Sequence, residues 1–202
     1  MQTKVKICGM TDAASIQTAI DHKVDYLGFV FYPKSPRNLT PKQATLLTKN
    51  IPSHINKVAV LVNETDQFIE YIKNDFDTFQ LHGDEDLNRV KELKKKYNKK
   101  IIKAIKVTDE NSAKKFQQFE DGVDMFLFDS PAMEKSAKFN WQILQNLKIT
   151  KPYLIAGSIN IDNVDEVLKY NPYGIDVSGG VEKNRGVKCG DKIIKFLDKV
   201  KT

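Results

Sequence analysis

Cysteine is nearly absent from this sequence, which carries only Cys8 and Cys189, placed at opposite ends of 202 residues. Two thiols so far apart make neither a disulfide framework nor a metal-ligand pattern, and they fit a reducing compartment. Long apolar runs are missing as well. No stretch approaches the roughly 20 residues that cross a bilayer, and no apolar segment follows Met1, so the chain reads as cytoplasmic, neither exported nor inserted. Histidine is confined to His22, His54 and His82. Only His82 falls where a strand ends, which leaves a metal centre without a ligand set. No linker, low-complexity segment or charge block divides the chain, and residues 1–202 read as a single domain.

Lysine is plentiful, and Lys and Arg outnumber Asp and Glu by 32 to 26, for a net charge of +6. The basic residues are dispersed over helix-like stretches, as in Lys91, Lys94, Lys95, Lys96, Lys99 and Lys100, with Glu85, Asp86 and Glu92 among them. No nucleic-acid motif accompanies them, so the charge implies solvated helix faces and a general attraction for anionic metabolites. No apolar surface stripe is evident, which points to a monomer.

Short β-branched or aromatic runs alternate with longer amphipathic stretches along the whole chain. Strands are expected over 4–8, 26–31, 58–62, 78–81, 101–104, 125–128, 153–156 and 175–177. The intervening helices are expected over 11–22, 40–50, 65–74, a stretch ending at 97, 110–119, 140–147 and 163–170, with a last one over 191–200. Thr40-Pro41 and Asn140 supply helix-start signals. The second run, Tyr26 to Phe31, is almost unbroken in its apolar character, as a strand buried on both faces requires. Eight strands, each followed by a helix, give an α/β chain with parallel pairing and crossover helices. A single (β/α)8 TIM barrel satisfies this without leaving an edge strand, and an open doubly wound sheet is the competing arrangement.

In such a barrel every strand ends on one face, where polar residues and glycines here collect. The first strand delivers Cys8 and the sixth Asp129, two titratable groups able to act as base and acid across the barrel mouth. Arg37, stiffened by Pro33 and Pro36, has the planar fork that clamps a carboxylate. Gly157-Ser158 after the seventh strand and Ser178-Gly179 after the eighth let backbone N–H groups approach an anion closely, with helix N-termini adding their dipoles.

Spacing leaves the substrate open, and the motifs narrow it. Lys6-Ile7-Cys8-Gly9-Met10-Thr11, Gly28-Phe29-Val30-Phe31 with Pro33-Lys34-Ser35-Pro36-Arg37, Gln80-Leu81-His82-Gly83, Leu127-Phe128-Asp129-Ser130 and Asp176-Val177-Ser178-Gly179-Gly180-Val181-Glu182 lie in order across the chain. In these the sequence resembles the phosphoribosylanthranilate isomerases, (β/α)8 barrels of tryptophan biosynthesis. The resemblance implies Cys8 as general base and Asp129 as general acid. It also implies substrate binding by Arg37 at a carboxylate, by His82, and by the backbones of Gly157, Ser158, Ser178 and Gly179 at a sugar phosphate. The implied reaction is an Amadori rearrangement of a small phosphorylated sugar, without metal or organic cofactor. It requires a protonated Asp129, as desolvation would favour, and an ionised Cys8, helped by a nearby Lys6 or a helix N-terminus.

Two departures stand out. Where the family carries a glycine-rich stretch after the sixth strand, this chain reads Met133-Glu134-Lys135-Ser136-Ala137-Lys138, and Lys135 or Lys138 offers a point charge in its place. Ser158 stands where a second glycine is usual, with less backbone freedom. Other readings remain: a histidine-pathway barrel, which would carry Asp at the place of Cys8, and a phosphosugar-binding barrel without turnover. Cys189 is expected to be a free thiol with no role.

Overall fold

The computed structural model describes residues 2–130 and 139–201. The replacement stretch Met133–Lys138 and its two lysines lie outside the described residues. Eight parallel strands close into a barrel in sequence order: β1 (Lys4–Cys8), β2 (Tyr26–Phe31), β3 (Asn56–Leu61), β4 (Thr78–Leu81), β5 (Lys100–Lys106), β6 (Met125–Asp129), β7 (Tyr153–Ile155) and β8 (Gly174–Val177). Pairing of β1 with β8 makes the closure, and it sets Lys6 beside Asp176, while pairing with β2 sets Cys8 beside Gly28. Closure leaves no edge to cover, so the open-sheet alternative is excluded.

Side chains alternate across each strand, and the inward set forms its own small core: Val30, Val58, Val60, Ile102, Ala104, Met125, Leu127, Leu154 and Ala156, with Cys8 packed against them at the mouth. The outward set joins the helices in a larger core rich in edge-to-face phenylalanines, such as Phe29 and Phe31 on Phe76 and Phe116 on Phe126. Burial on both faces is why β2 and β6 are such continuous apolar runs.

Local signals place most helices. Asp12 caps α1 (Ala13–Asp21) by accepting from the Ser15 amide, and Thr40 and Gln43 form a capping box on α2 (Pro41–Thr48) with proline in its first turn. Thr65 and Asp86 cap α3 (Asp66–Ile72) and α4 (Leu87–Tyr97) by accepting from the Phe68 and Arg89 amides. The second half is less regular than the periodicity suggests. The helix expected over 110–119 is α helical only in α5 (Glu110–Ala113) and then tightens into a 3₁₀ segment, Lys114–Phe119. The helix expected after Asn140 is wholly 3₁₀, Trp141–Asn146, although Asn140 caps it as foreseen. In each case one apolar face, Phe116 in the first and Trp141 and Leu144 in the second, is buried within two turns, and that is too little to propagate an α helix. The seventh helix shortens to α6 (Val164–Leu168), and α7 (Gly190–Lys201) closes the chain. A feature the periodicity did not announce is a two-stranded hairpin after β8, made of β9 (Glu182–Asn184) and β10 (Val187–Lys188).

Candidate active site

Cys8 ends β1 facing the barrel mouth, half-buried, with its sulfur against the place a side chain on residue 28 would occupy. A Cβ on Gly28 would lie 3.0 Å from Cys8 Sγ and 3.1 Å from Lys6 Nζ, so the glycine is what lets thiol and ammonium share this corner. Lys6 is fully buried and donates to Asp176 Oδ1 at 3.0 Å. Burial pushes the Cys8 thiol above its ordinary 9.0, outweighing the pull of the Lys6 and Lys188 cations. Burial also raises Asp176, against the pull of Lys6. Thus Lys6 does adjoin the thiol, as the sequence suggests, but it is shared with a second acid and the resting sulfur keeps its proton.

Across the mouth, Asp129 ends β6 half-buried with Oδ2 3.5 Å from His82 Nε2. Gln80, two residues before His82 on the same face of β4, meets its Nδ1 at 3.0 Å. When the Gln80 amide donates there, His82 turns its Nε2 proton toward Asp129. The loop carrying His82 is anchored from outside the barrel by the buried Lys103–Glu85 pair, 3.0 Å, with Lys103 also donating to the Gly83 carbonyl.

The two loops expected to hold an anion lie against each other. A Cβ on Gly180 would meet the Ile159 carbonyl at 2.1 Å, so the loops after β7 and β8 touch at that glycine. Gly157 has φ +94° and Ser158 φ +52°. Ser158 therefore sits in the left-handed region where a glycine would be at ease. Around Gly179 nothing lies within 4 Å of a would-be Cβ, which leaves open space beside its backbone. Neither loop leads directly into an α helix. A short 3₁₀ turn starts at Gly179, whereas α6 starts only at Val164, well past Ser158. Ser178 Oγ donates to the Cys8 carbonyl at 3.0 Å and so ties this corner to the thiol. Gly157→Ala would set its Cβ 2.5 Å from Ser130 Oγ at a positive φ. The expected outcome is strain of about 1–3 kcal/mol and weaker phosphate binding, read by titration with inorganic phosphate.

Arg37 reaches the thiol side of the mouth, its stem lying over Gly9: a Cβ there would come 2.2 Å from Arg37 Cδ. Gly9, at φ +78°, is required on both counts. The guanidinium is held by Glu182, Nε to Oε1 at 2.6 Å and Nη2 to Oε2 at 2.8 Å. All eight residues singled out from the sequence thus lie on the strand-end face, in three groups: Cys8 with Arg37, Asp129 with His82, and the paired loops Gly157-Ser158 and Ser178-Gly179.

A family model for N-(5'-phosphoribosyl)anthranilate (PRA) isomerase matches residues 5–199. The chain belongs to this family. With it comes the isomerase step of tryptophan biosynthesis, and curated PRA isomerases agree: one from Paracoccus denitrificans is 36% identical over 98% of this chain and 96% of its own. One from Staphylococcus aureus strain MRSA252 is 36% identical over 98% and 97%. Among solved structures, the phosphoribosyl anthranilate isomerase from Thermotoga maritima superposes with a TM-score of 0.89, at 27% identity and 98% coverage of both chains. Another, in complex with reduced 1-(o-carboxyphenylamino)-1-deoxyribulose 5-phosphate, gives 0.86 at 28% identity, again over 98% of both.

Two members of the PRA isomerase motifs, Asp176 and Glu182, and one residue beyond them, Lys188, acquire a place in the site that sequence reading did not assign. Asp176, Glu182 and Lys188 are all nearly buried. A signal was present for Asp176, an acid inside the apolar run of β8, but its register with Lys6 of β1 comes only with closure of the barrel. Glu182 and Lys188 belong to the unforeseen hairpin, and only its pairing brings them together.

Proposed function

We propose that this chain converts N-(5-phosphoribosyl)anthranilate into 1-(2-carboxyphenylamino)-1-deoxyribulose 5-phosphate, with Asp129 as general acid and Cys8 as general base. The observation that carries the reading is the placement of a thiol at the end of β1 and a carboxyl at the end of β6 on one barrel mouth, with the glycine loops after β7 and β8 between them and a guanidinium on the thiol side. Asp129 gives its proton to the furanose oxygen, the ring opens, and the nitrogen lone pair forms an iminium with C1. Cys8, as thiolate, takes the C2 proton, and the C2–H electrons form the enolamine. Return of a proton to C1 and loss of the enol proton complete the ketone, so nothing is consumed. Arg37 meets the anthranilate carboxylate, His82 lies along the substrate beside Asp129, and Gly157, Ser158, Ser178 and Gly179 offer backbone N–H groups to the 5-phosphate.

Free thiols at Cys8 and Cys189 suit a reducing cytosol, and the exposed large apolar residues among those described, Leu46 on α2, Tyr71 on α3, Val187 on β10 and Tyr173 just before β8, are in keeping with a monomer. Among the described residues no helix is long and apolar enough to cross a membrane.

The test is loss of anthranilate-type fluorescence on substrate generated in situ, followed as a function of pH. The reactive arrangement, protonated Asp129 with ionised Cys8, carries the same number of protons as its reversed tautomer. Their ratio therefore does not vary with pH, and kcat/KM stays level between uptake of a second proton on the acid side and loss of the remaining one on the alkaline side. Because the thiol is raised above 9.0, the alkaline fall is expected above that value. A fall centred near neutrality contradicts the assignment of Cys8, and absence of turnover favours the binding-only barrel.

A further inference from the structure

Glu182, the first residue of the hairpin after β8, gathers more partners than any carboxylate of the mouth. Its side chain is 4% exposed. Besides the paired contact with Arg37, it accepts from Lys188 Nζ at 3.0 Å and from the Gly186 amide at 3.0 Å. Lys188, wholly buried, also donates to the Ser178 carbonyl at 3.0 Å, and Ser178 Oγ in turn bonds the Cys8 carbonyl. The hairpin tip leans on the arginine loop: Gly186 has φ +87°, and a Cβ there would meet the Pro36 carbonyl at 2.9 Å.

The geometry of the fork gives this cluster a purpose. Glu182 occupies the Nε–Nη2 edge of Arg37 and leaves the Nη1–Nη2 edge for a second carboxylate. A guanidinium on a flexible stem loses rotamer freedom when it binds, and a buried carboxylate that already fixes the plane removes that cost before substrate arrives. Lys188 and the Gly186 amide share the charge of Glu182, so the arginine is steered without being neutralised. We infer that Glu182 is a positioning residue, acting through Arg37 to aim its free edge at the carboxylate of an aromatic acid. This rests on the reading of Arg37 as the carboxylate clamp.

The probes are anthranilate alone, for the carboxylate side, and inorganic phosphate alone, for the anion corner, each titrated into the unmodified chain, Glu182→Gln, Arg37→Met and the double variant. Glu182→Gln is expected to weaken anthranilate about tenfold, leave phosphate within about twofold, and raise KM for the in situ substrate more than it lowers kcat. In the Arg37→Met background the same change is expected to have no further effect on anthranilate, because its route through the guanidinium is gone. Unaltered or tighter anthranilate binding by Glu182→Gln, with weakening by Arg37→Met, overturns the inference and leaves the clamp intact. Unaltered binding by Arg37→Met overturns the clamp itself. Equal loss for both probes overturns the inference in favour of a general structural role. Should Glu182→Gln fail to fold, Arg37→Lys keeps the cation but loses the two-bond contact, and anthranilate affinity equal to the unmodified chain then overturns the inference.

Discussion

Cys8→Ser and Asp129→Asn are each expected to lower kcat by about two orders of magnitude or more while leaving KM within a few-fold, in line with removal of a general base or acid. Both changes nearly preserve shape. A serine hydroxyl occupies the corner between Gly28 and Lys6 but ionises far less readily than a thiol, so it cannot take a proton from carbon at useful rates. An asparagine amide keeps its place 3.5 Å from His82 Nε2 and has no acidic proton to give. On the proposed reading, in which Arg37 and the loops at Gly157 and Gly179 hold the substrate, affinity is expected to persist, and the split between kcat and KM distinguishes chemistry from binding. The measurement is steady-state turnover by anthranilate fluorescence at equal protein concentration. A variant within tenfold of the unmodified chain removes its residue from the mechanism. The double variant is expected to fall little below the worse single one if, as proposed, acid and base serve one sequence of proton transfers.

Glu182 adds an acid-side check on the hairpin. Its buried surroundings work against the charge, but Arg37, Lys188 and the Gly186 amide together hold its carboxyl down from 4.5 to about 2. A carboxyl depressed in the folded state contributes stability that is complete above the unfolded value and is lost as pH falls toward the folded one. The contribution of this group is therefore expected intact above pH 4.5 and lost between there and about 2. Comparison of acid unfolding curves for the unmodified chain and Glu182→Gln checks the window.

The barrel was legible in the sequence because each strand is a short β-branched or aromatic run, and a parallel barrel buries such runs on both faces. The strand ends followed from that, and with them Cys8, Asp129 and the glycine loops. Helix starts were legible at Thr40 and Asn140, where the capping side chain stands beside a clear start signal, and Thr65, Asp86 and Asp109 cap without having been singled out. What could not be read was set by pairs far apart in the chain. Lys6 and Asp176 are 170 residues apart and meet only because β8 closes on β1. Arg37 and Glu182, separated by 145, meet only because a bulged hairpin folds back over the mouth. Sequence could show that an arginine fork was available, and not which of its edges was already taken.

The largest effect on stability is expected from Lys6→Met. Lys6 is fully buried and Asp176 9% exposed, 3.0 Å apart inside the barrel. Taking such a pair out of water offsets much of its attraction, so its presence is weak support for a stable barrel, but removing one partner strands the other. With the ammonium gone, Asp176 must stay charged without a counter-ion or take up a proton, and the cost expected is about 3–5 kcal/mol at neutral pH. Urea unfolding measures it, and a loss under about 1 kcal/mol rejects the account. Lys6→Met with Asp176→Leu removes both charges and is expected to recover most of the stability. Function is expected not to recover with it. The thiol, already raised by burial, loses the cation that most opposes that rise, and loss of Asp176, whose charge raises the thiol by less than Lys6 lowers it, offsets this only in part, so alkylation of Cys8 by iodoacetamide in a Cys189→Ser background is expected to need higher pH. Restored folding with unrestored thiol reactivity separates the two duties of Lys6, one to the closure of the barrel and one to the sulfur beside it.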